Sequence, residues 1–420
     1  MSTALPSYEE AAALVGEYAA QLRQVHRAAE RVDAGRAHGR VLAHPLRADR
    51  DQPPFTRSTR DGFACRADEA SRHMPLPVAG STRAGGVPEG PLPVGAAWEI
   101  MTGAQVPSGA DAVMMLEHVE AGAGEVRLLP PRSVKPGENI VAQGAQARKG
   151  DELLTTGTVI GPSQMALAAA CGHGGLEVFH RPRVAILATG DELVPVRSIP
   201  AAGQIRNSNG PMLAAMVAAA GGEPWILPVA TDHADALDIA IAEAAEADLL
   251  LITGGVSAGK FDLVEPALLR AGGRFFFTGV RIQPGKPTVF GELPRKSSAD
   301  NSSRRMPCFG LAGNPVSSAV TFLLFAQPVL AGLAGTGEPG PRFALAKLAP
   351  PVERNVKSGL TRFLPAHCAF NAPGGEPEVR LVPWHGSGDI TALARSNCFL
   401  VVPEEAHRLR AGSIVRILLL

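Results

Sequence analysis

The chain carries no excess charge of either sign: its 420 residues include 40 Lys plus Arg and 40 Asp plus Glu. No global field therefore draws nucleic acid or an anionic membrane to it. Cysteine is scarce, and Cys65, Cys171, Cys308, Cys368 and Cys398 form no C-x-x-C pair. That excludes a zinc ribbon or a disulfide framework and points to a reducing cytoplasm. No signal-peptide pattern opens the sequence. No apolar run is long and uninterrupted enough to span a bilayer, because the stretch from Leu323 to Leu333 carries Gln327 and Pro328. His173, His233 and His385 stand at no metal-ligand spacing. Gly386-Ser-Gly-Asp389 reads as a tight turn. With 45% hydrophobic and 19% charged residues, the composition is that of a globular protein with more than one domain.

What the sequence does have is a repeated strand, glycine turn and helix. Asp248-Leu-Leu-Leu-Ile-Thr253 is a continuous apolar run, the pattern of a parallel strand covered on both faces. It runs into Gly254-Gly-Val-Ser-Ala-Gly-Lys-Phe-Asp262, where glycines allow a sharp bend and close approach of a ligand to the backbone. Backbone N–H groups at the helix start that follows favour an anion. The segment is not a Walker loop, since Phe261 follows Lys260. Val184 to Thr189, Trp225 to Val229, Arg274 to Thr278, Thr288 to Phe290 and Pro307 to Leu311 read as further strands. Helices are expected over Pro211 to Ala220 with Asn209 as N-cap, Asp235 to Ala247, Leu263 to Ala271 and after Asn314. This alternation predicts a doubly wound, mostly parallel sheet.

Ligands of such sheets bind outside the carboxyl ends of the strands. Asp191, Glu192, Asp232, Asp262 and Lys286 then share one rim with the glycine turns. A single acid there is commonly a helix cap; several acids beside cradling backbone and a Lys suit a phosphorylated ligand with a divalent cation.

The flanking regions read differently. Ser7-Tyr-Glu-Glu10 is a capping box opening an amphipathic helix to about His26. Pro53 to Gly150 is rich in Gly and Pro with short β-like runs, and Gly161 to Cys171 turns helical again. The tail from Phe343 has strand-like pieces at Phe399 to Val402 and Ile414 to Leu418. Four units are expected: a helical linker domain from 1–52 plus 147–181, a small β-rich domain at 53–146, the α/β domain at 182–333, and a C-terminal β-barrel-like domain at 334–420. Arg295 to Arg305 reads as a Ser-rich loop without chemistry.

Seven motifs in order now carry a resemblance that covers nearly the whole chain. They are Ser58-Thr-Arg-Asp61-Gly-Phe-Ala64; Ile100-Met-Thr102-Gly-Ala104 with Gly109-Ala-Asp-Ala112; Thr189-Gly-Asp-Glu-Leu193; Thr253-Gly-Gly-Val-Ser257 with Asp262; Gln283-Pro-Gly-Lys-Pro287; Gly313-Asn-Pro-Val-Ser317; and Gly386-Ser-Gly-Asp389 with Leu393-Ala-Arg395. Together they resemble the molybdopterin molybdenumtransferases, the MoeA and gephyrin E-domain family.

The resemblance implies an elongated homodimer with a composite site. It implies that adenylylated molybdopterin and molybdate give molybdenum cofactor and AMP with Mg2+, and a complex with the molybdopterin adenylyltransferase. Asp61, Thr102, Glu192, Asp232 and Asp262 match catalytic positions, with Glu192, Asp232 and Asp262 as metal ligands and Asp61 and Thr102 supplied by the other subunit. Thr189, Gly190, Asp191, Gly254, Gly255, Ser257, Lys286, Gly313, Asn314, Pro315 and Ser317 match the ligand-binding positions. Departures are Arg60 for Met, Val141 and Gln146 for an Arg and an Asp, Ala312 for Pro, and Gln283 for a Lys found in some members. Arg281 or Arg60 is expected to offset the cation lost at Gln283. Two alternatives stay open: a non-catalytic nucleotide-binding or scaffold paralogue, and a tungstate-preferring homologue.

Overall fold

The continuous apolar runs of the sequence lie at the middle of the molecule's central sheet. The structure is a computed structural model; it describes residues 5–25, 27–256, 263–295, 305–337, 340–353, 359–370, 375–406 and 408–420. The sheet has six strands in the order Glu223–Ile226, Arg183–Ala188, Leu249–Thr253, Arg305–Leu311, Val289–Pro294, Arg274–Phe277. The first four run in one direction, Val289–Pro294 runs against both of its neighbours, and Arg274–Phe277 runs with the first four. Side chains alternate between faces along each strand. Val184 and Ile186 join one core with Leu213, Val217 and Val320, whereas Ala185 and Leu187 join a second with Leu237, Ile241 and Leu268. Helices therefore cover both faces.

The helix after Asn314 extends over Pro315–Ala334 and is long and apolar enough to cross a membrane by length and composition. Interruption by Gln327 and Pro328 does not end it. Pro328 has no N–H to give the preceding turn, and a π-type turn at Phe322–Ala326 absorbs the mismatch. The most apolar stretch is 89% buried, which makes this a core helix. Across it lies the N-terminal helix Tyr8–Arg23, whose capping box pairs Ser7 and Glu10 as expected. Its apolar face, Tyr8, Ala11, Val15 and Leu22, belongs to the α/β core, although its sequence position placed it with the linker unit. The two helices touch at Gly332, where a Cβ would come within 2.6 Å of the Ala19 carbonyl oxygen. Arg27 then donates to the carbonyls of Leu22 and Gly332 at 2.5 and 2.6 Å and of Leu333 and Arg23 at 2.8 and 2.9 Å. One guanidinium thus satisfies the ends of both helices.

Three further groupings surround this body. Ala29–Asp33 pairs with Gly175–Phe179, and Leu46–Arg47 with Glu152–Leu154, beside the helix Pro162–Ala170. Between these segments a six-stranded sheet forms in the order Ala112–Met115, Gly62–Cys65, Ala97–Ile100, Leu76–Thr82, Glu125–Leu128, Val119–Gly122. At the C-terminus, Thr361–Ala369, Glu378–Leu381, Phe343–Leu348, Ile414–Leu419 and Cys398–Val402 close on themselves through the pairing of Thr361–Ala369 with Cys398–Val402. The expected multidomain α/β-plus-β class, with a barrel-like C-terminal unit, is what is found.

One strand crosses between units. Ile282–Gln283 leaves the α/β body and pairs parallel with Thr361 and Arg362 on the C-terminal sheet. The chain then passes the cis Gln283–Pro284 bond, Gly285 and Lys286 and re-enters the central sheet at Val289.

Candidate functional site

Two adjacent cavities sit at the carboxyl ends of the parallel strands. The first, about 660 Å³, is lined by Thr189, Gly190, Glu192, Asp232, Gly254, Gly255, Gly313, Asn314 and Pro315 from the expected set. The second, about 670 Å³, holds Lys286 and Ser317, and Pro287, Ala312 and Asn314 line both. Lys286 reaches this end because Val289–Pro294 runs antiparallel: Val289 pairs with Gly310 near the end of its neighbour. Asp191 does not line either cavity. Its carboxylate accepts from the Asp232 N–H at 3.0 Å and so holds the Asp232 turn. Ser257 and Asp262 lie outside the described residues, as do 296–304, most of the Ser-rich segment.

Local geometry explains the glycines. Gly254 has φ +101°, and a Cβ there would overlap the Thr189 carbonyl oxygen; Gly255 has φ +60°. Thr189 is buried, and its hydroxyl donates to Asp232 Oδ1 at 2.7 Å. One carboxylate oxygen of Asp232 is thereby fixed beside the first cavity. The Glu192 carboxylate folds over Gly190, where an added Cβ would lie 2.5 Å from its Oε2.

Several lining residues were not anticipated. Asn209, expected as an N-cap, is the first residue of the helix Asn209–Ala219. Its amide donates to Thr253 Oγ1 at 2.8 Å and to the Gly313 carbonyl at 2.6 Å. Its Oδ1 is buried and unpartnered among the described residues, an acceptor suited to a ligand N–H. Asn207 and Arg206 also line the first cavity. The available signal was the polar Asn207-Ser-Asn209-Gly turn preceding an apolar helix. Gly386-Ser-Gly-Asp389 is a turn, with φ +110° at Gly386, but it also walls the site. Ser387 Oγ accepts from Asn314 Nδ2 at 2.9 Å, Gly388 lines the first cavity and Ser387 the second. Asp389 caps Ile390–Ala394, and N–H groups of Ala392 and His385 hold its carboxyl below the ordinary range.

Asp61 and Thr102 lie in the N-terminal six-stranded sheet region and line neither cavity. They are brought together, though: Asp61 Oδ1 accepts from the Thr102 N–H at 2.6 Å. That bond, with a further one to the Thr102 side chain, holds the Asp61 carboxyl below its usual range. Of the cations expected to replace the one lost at Gln283, Arg281 is paired with Glu404 at 3.6 Å.

Comparison with known proteins agrees along the whole chain. Residues 6–172 match the family described as MoeA N-terminal region (domain I and II). Residues 185–332 match the probable molybdopterin binding domain, and 351–420 the MoeA C-terminal region (domain IV). A molybdopterin molybdenumtransferase of Bacillus subtilis is 35% identical over 91% of this chain and 87% of its own length. One from Nostoc is 32% identical over 99% and 94%. The crystal structure of a molybdopterin biosynthesis moeA protein from Pyrococcus horikoshii superposes with a TM-score of 0.79 at 29% identity, covering 99% of this chain and 100% of that one. With its glycine-cradled strand ends, its barrel and its sequence all in agreement, the chain belongs to the molybdopterin molybdenumtransferase family.

Proposed function

We propose that this enzyme of molybdenum cofactor biosynthesis moves molybdenum from molybdate onto the dithiolene of adenylylated molybdopterin and releases AMP in the cytoplasm. The observation that carries the reading is the pair of adjacent cavities that share Pro287, Ala312 and Asn314 in their walls. One side offers glycine backbone and two carboxylates, the other a Lys, so a nucleotide and an oxyanion can lie side by side. Exchange of one molybdate oxygen for two thiol sulfurs releases a water, and cleavage of the phosphoanhydride consumes one.

In this reading Gly254, Gly255 and the Gly313-Asn314-Pro315 turn hold the pterin nucleotide, with Thr189 and Asp191 keeping Asp232 in place. Asn209 Oδ1 accepts from a ligand N–H. Lys286 and Ser317 hold the oxyanion. The donor set fits magnesium, since Glu192 and Asp232 share a cavity. Mg2+ characteristically takes one or two carboxylates and completes its shell with water and phosphate oxygens. Glu192 and Asp232 would hold it, with Asp262 as a third ligand, and it would neutralise charge on the phosphate oxygens. Asp61 and Thr102 complete the site from the second subunit of a homodimer.

The test is single-turnover AMP release by the full-length protein from adenylylated molybdopterin, with molybdate and magnesium. Failure to release AMP, together with failure to complement cells lacking molybdenum insertion, would sink the proposal and favour a binding scaffold. For sharing between subunits, verified heterodimers of Asp61→Ala and Glu192→Ala should recover part of the activity that each homodimer lacks. No recovery would argue against a composite site.

A further inference from the structure

Gln283 is an exposed side chain lining the second cavity, and the residue behind it is a buried arginine. Arg362 is 6% exposed, and its Nε donates to Gln283 Oε1 at 3.0 Å. The two are register partners across the strand that joins the α/β body to the C-terminal sheet. A guanidinium has donors and no acceptor. An amide facing it must therefore turn its oxygen inward, which sends its NH2 to the opposite side. We propose that Arg362 is a positioning residue: it orients the Gln283 amide so that the N–H groups face the second cavity and serve as a neutral oxyanion donor beside Lys286. The proposal rests on the reading of that cavity as the oxyanion pocket.

The arrangement has a chemical consequence. Among the described residues lining the second cavity, Lys286 is the one with a fixed positive charge; the other polar groups include Gln283, Asn314, Ser317 and Ser387. Recognition then leans on directed hydrogen bonds more than on summed charge, so affinity for a dianion should fall only gently with ionic strength. The buried guanidinium acts through the amide, whose N–H groups it polarises.

Equilibrium dialysis of molybdate alone against the full-length protein tests this. Gln283→Met, which keeps length and loses the amide, should weaken binding about three- to tenfold, the effect of one neutral hydrogen bond. Arg362→Met should weaken it by a similar factor, and the Gln283→Met/Arg362→Met pair should be no worse than either single change. Arg362→Lys, which can still donate to the amide oxygen, should restore most of the affinity. If Arg362→Met fails to fold, Gln283→Met and Arg362→Lys still decide the matter. Unchanged affinity in Gln283→Met, or a double variant whose loss equals the product of the single losses, would overturn the positioning role. Lys286→Met separates the two levels: if it leaves molybdate affinity intact, the oxyanion reading of the cavity itself is wrong.

Discussion

Replacing Gly254 by Ala should damage both stability and the site, and the size of the damage can be worked out. Gly254 sits at φ +101°, a conformation that costs an L-residue about 1–2 kcal/mol. The new methyl would overlap the Thr189 carbonyl oxygen and come within 3.2 Å of Thr189 Cγ2. That oxygen has little room to retreat, because the Thr189 N–H is bonded to the Thr253 carbonyl at 3.0 Å and Thr189 bridges to Ala230. Relief of such overpacking costs a further ~1–3 kcal/mol. The total, about 2–5 kcal/mol, corresponds to a fall in Tm of roughly 4–20 °C for a folding unit of this size. The functional effect follows from the same shift, since the Thr189 hydroxyl is what holds Asp232. Gly313→Ala is the control: its Cβ would stand 3.5 Å from Gly254 Cα, an ordinary contact, at a residue without positive φ. It should melt close to the parent while narrowing the cavity floor. Calorimetry on both variants decides; a Gly254→Ala protein with the parental Tm would refute the strain argument.

Three other outcomes are expected. Arg27→Ala strips charge-assisted bonds from four carbonyls at two helix ends and should cost about 2–4 kcal/mol in urea unfolding; a loss under about 0.5 kcal/mol would show that water replaces the guanidinium. Burial pushes the Cys65, Cys308 and Cys398 thiols up to about 12. The folded state holds their protons more tightly than the unfolded chain, so stability should decline as pH rises from about 8.5 toward those values. Conservative replacement of the three should flatten that slope, and an unchanged slope would count against it. The Asp61 carboxyl is depressed by the Thr102 N–H, so its contribution persists above the ordinary pKa near 3.9 and is lost as pH falls through the lower folded value. The Thr102 amide resonance should report a midpoint below about 3.9; one above it would contradict the bond.

The parts of the fold legible in the sequence were those written in short-range pattern. Continuous apolar runs such as Leu249–Thr253 announced strands covered on both faces, and the glycines after them announced turns. The Ser7 capping box located the first helix but not its destination, since an amphipathic face does not name what covers it. The first cavity was legible where its residues end strands, as with Glu192, Asp232 and Gly254. Asn209 was misread because a helix-start Asn looks like a cap until Thr253 and Gly313 are folded against it. The meeting of Asp61 with Thr102 spans 41 residues, and only family resemblance pointed to it. Arg362 was invisible beside Gln283 because a two-residue strand leaves no periodicity to read.

That two-residue strand has a bearing on modularity. Gln283 is stitched to the barrel while Val289 is stitched to the central sheet, and the Lys286 turn is strung between them. A chain truncated after residue 333 would lose more than its last domain. It would leave Ile282–Gln283 without its hydrogen-bonding neighbour and free one end of the turn that carries the lysine. Domain grafting between relatives should succeed only when the 282–287 segment travels with the barrel it pairs to.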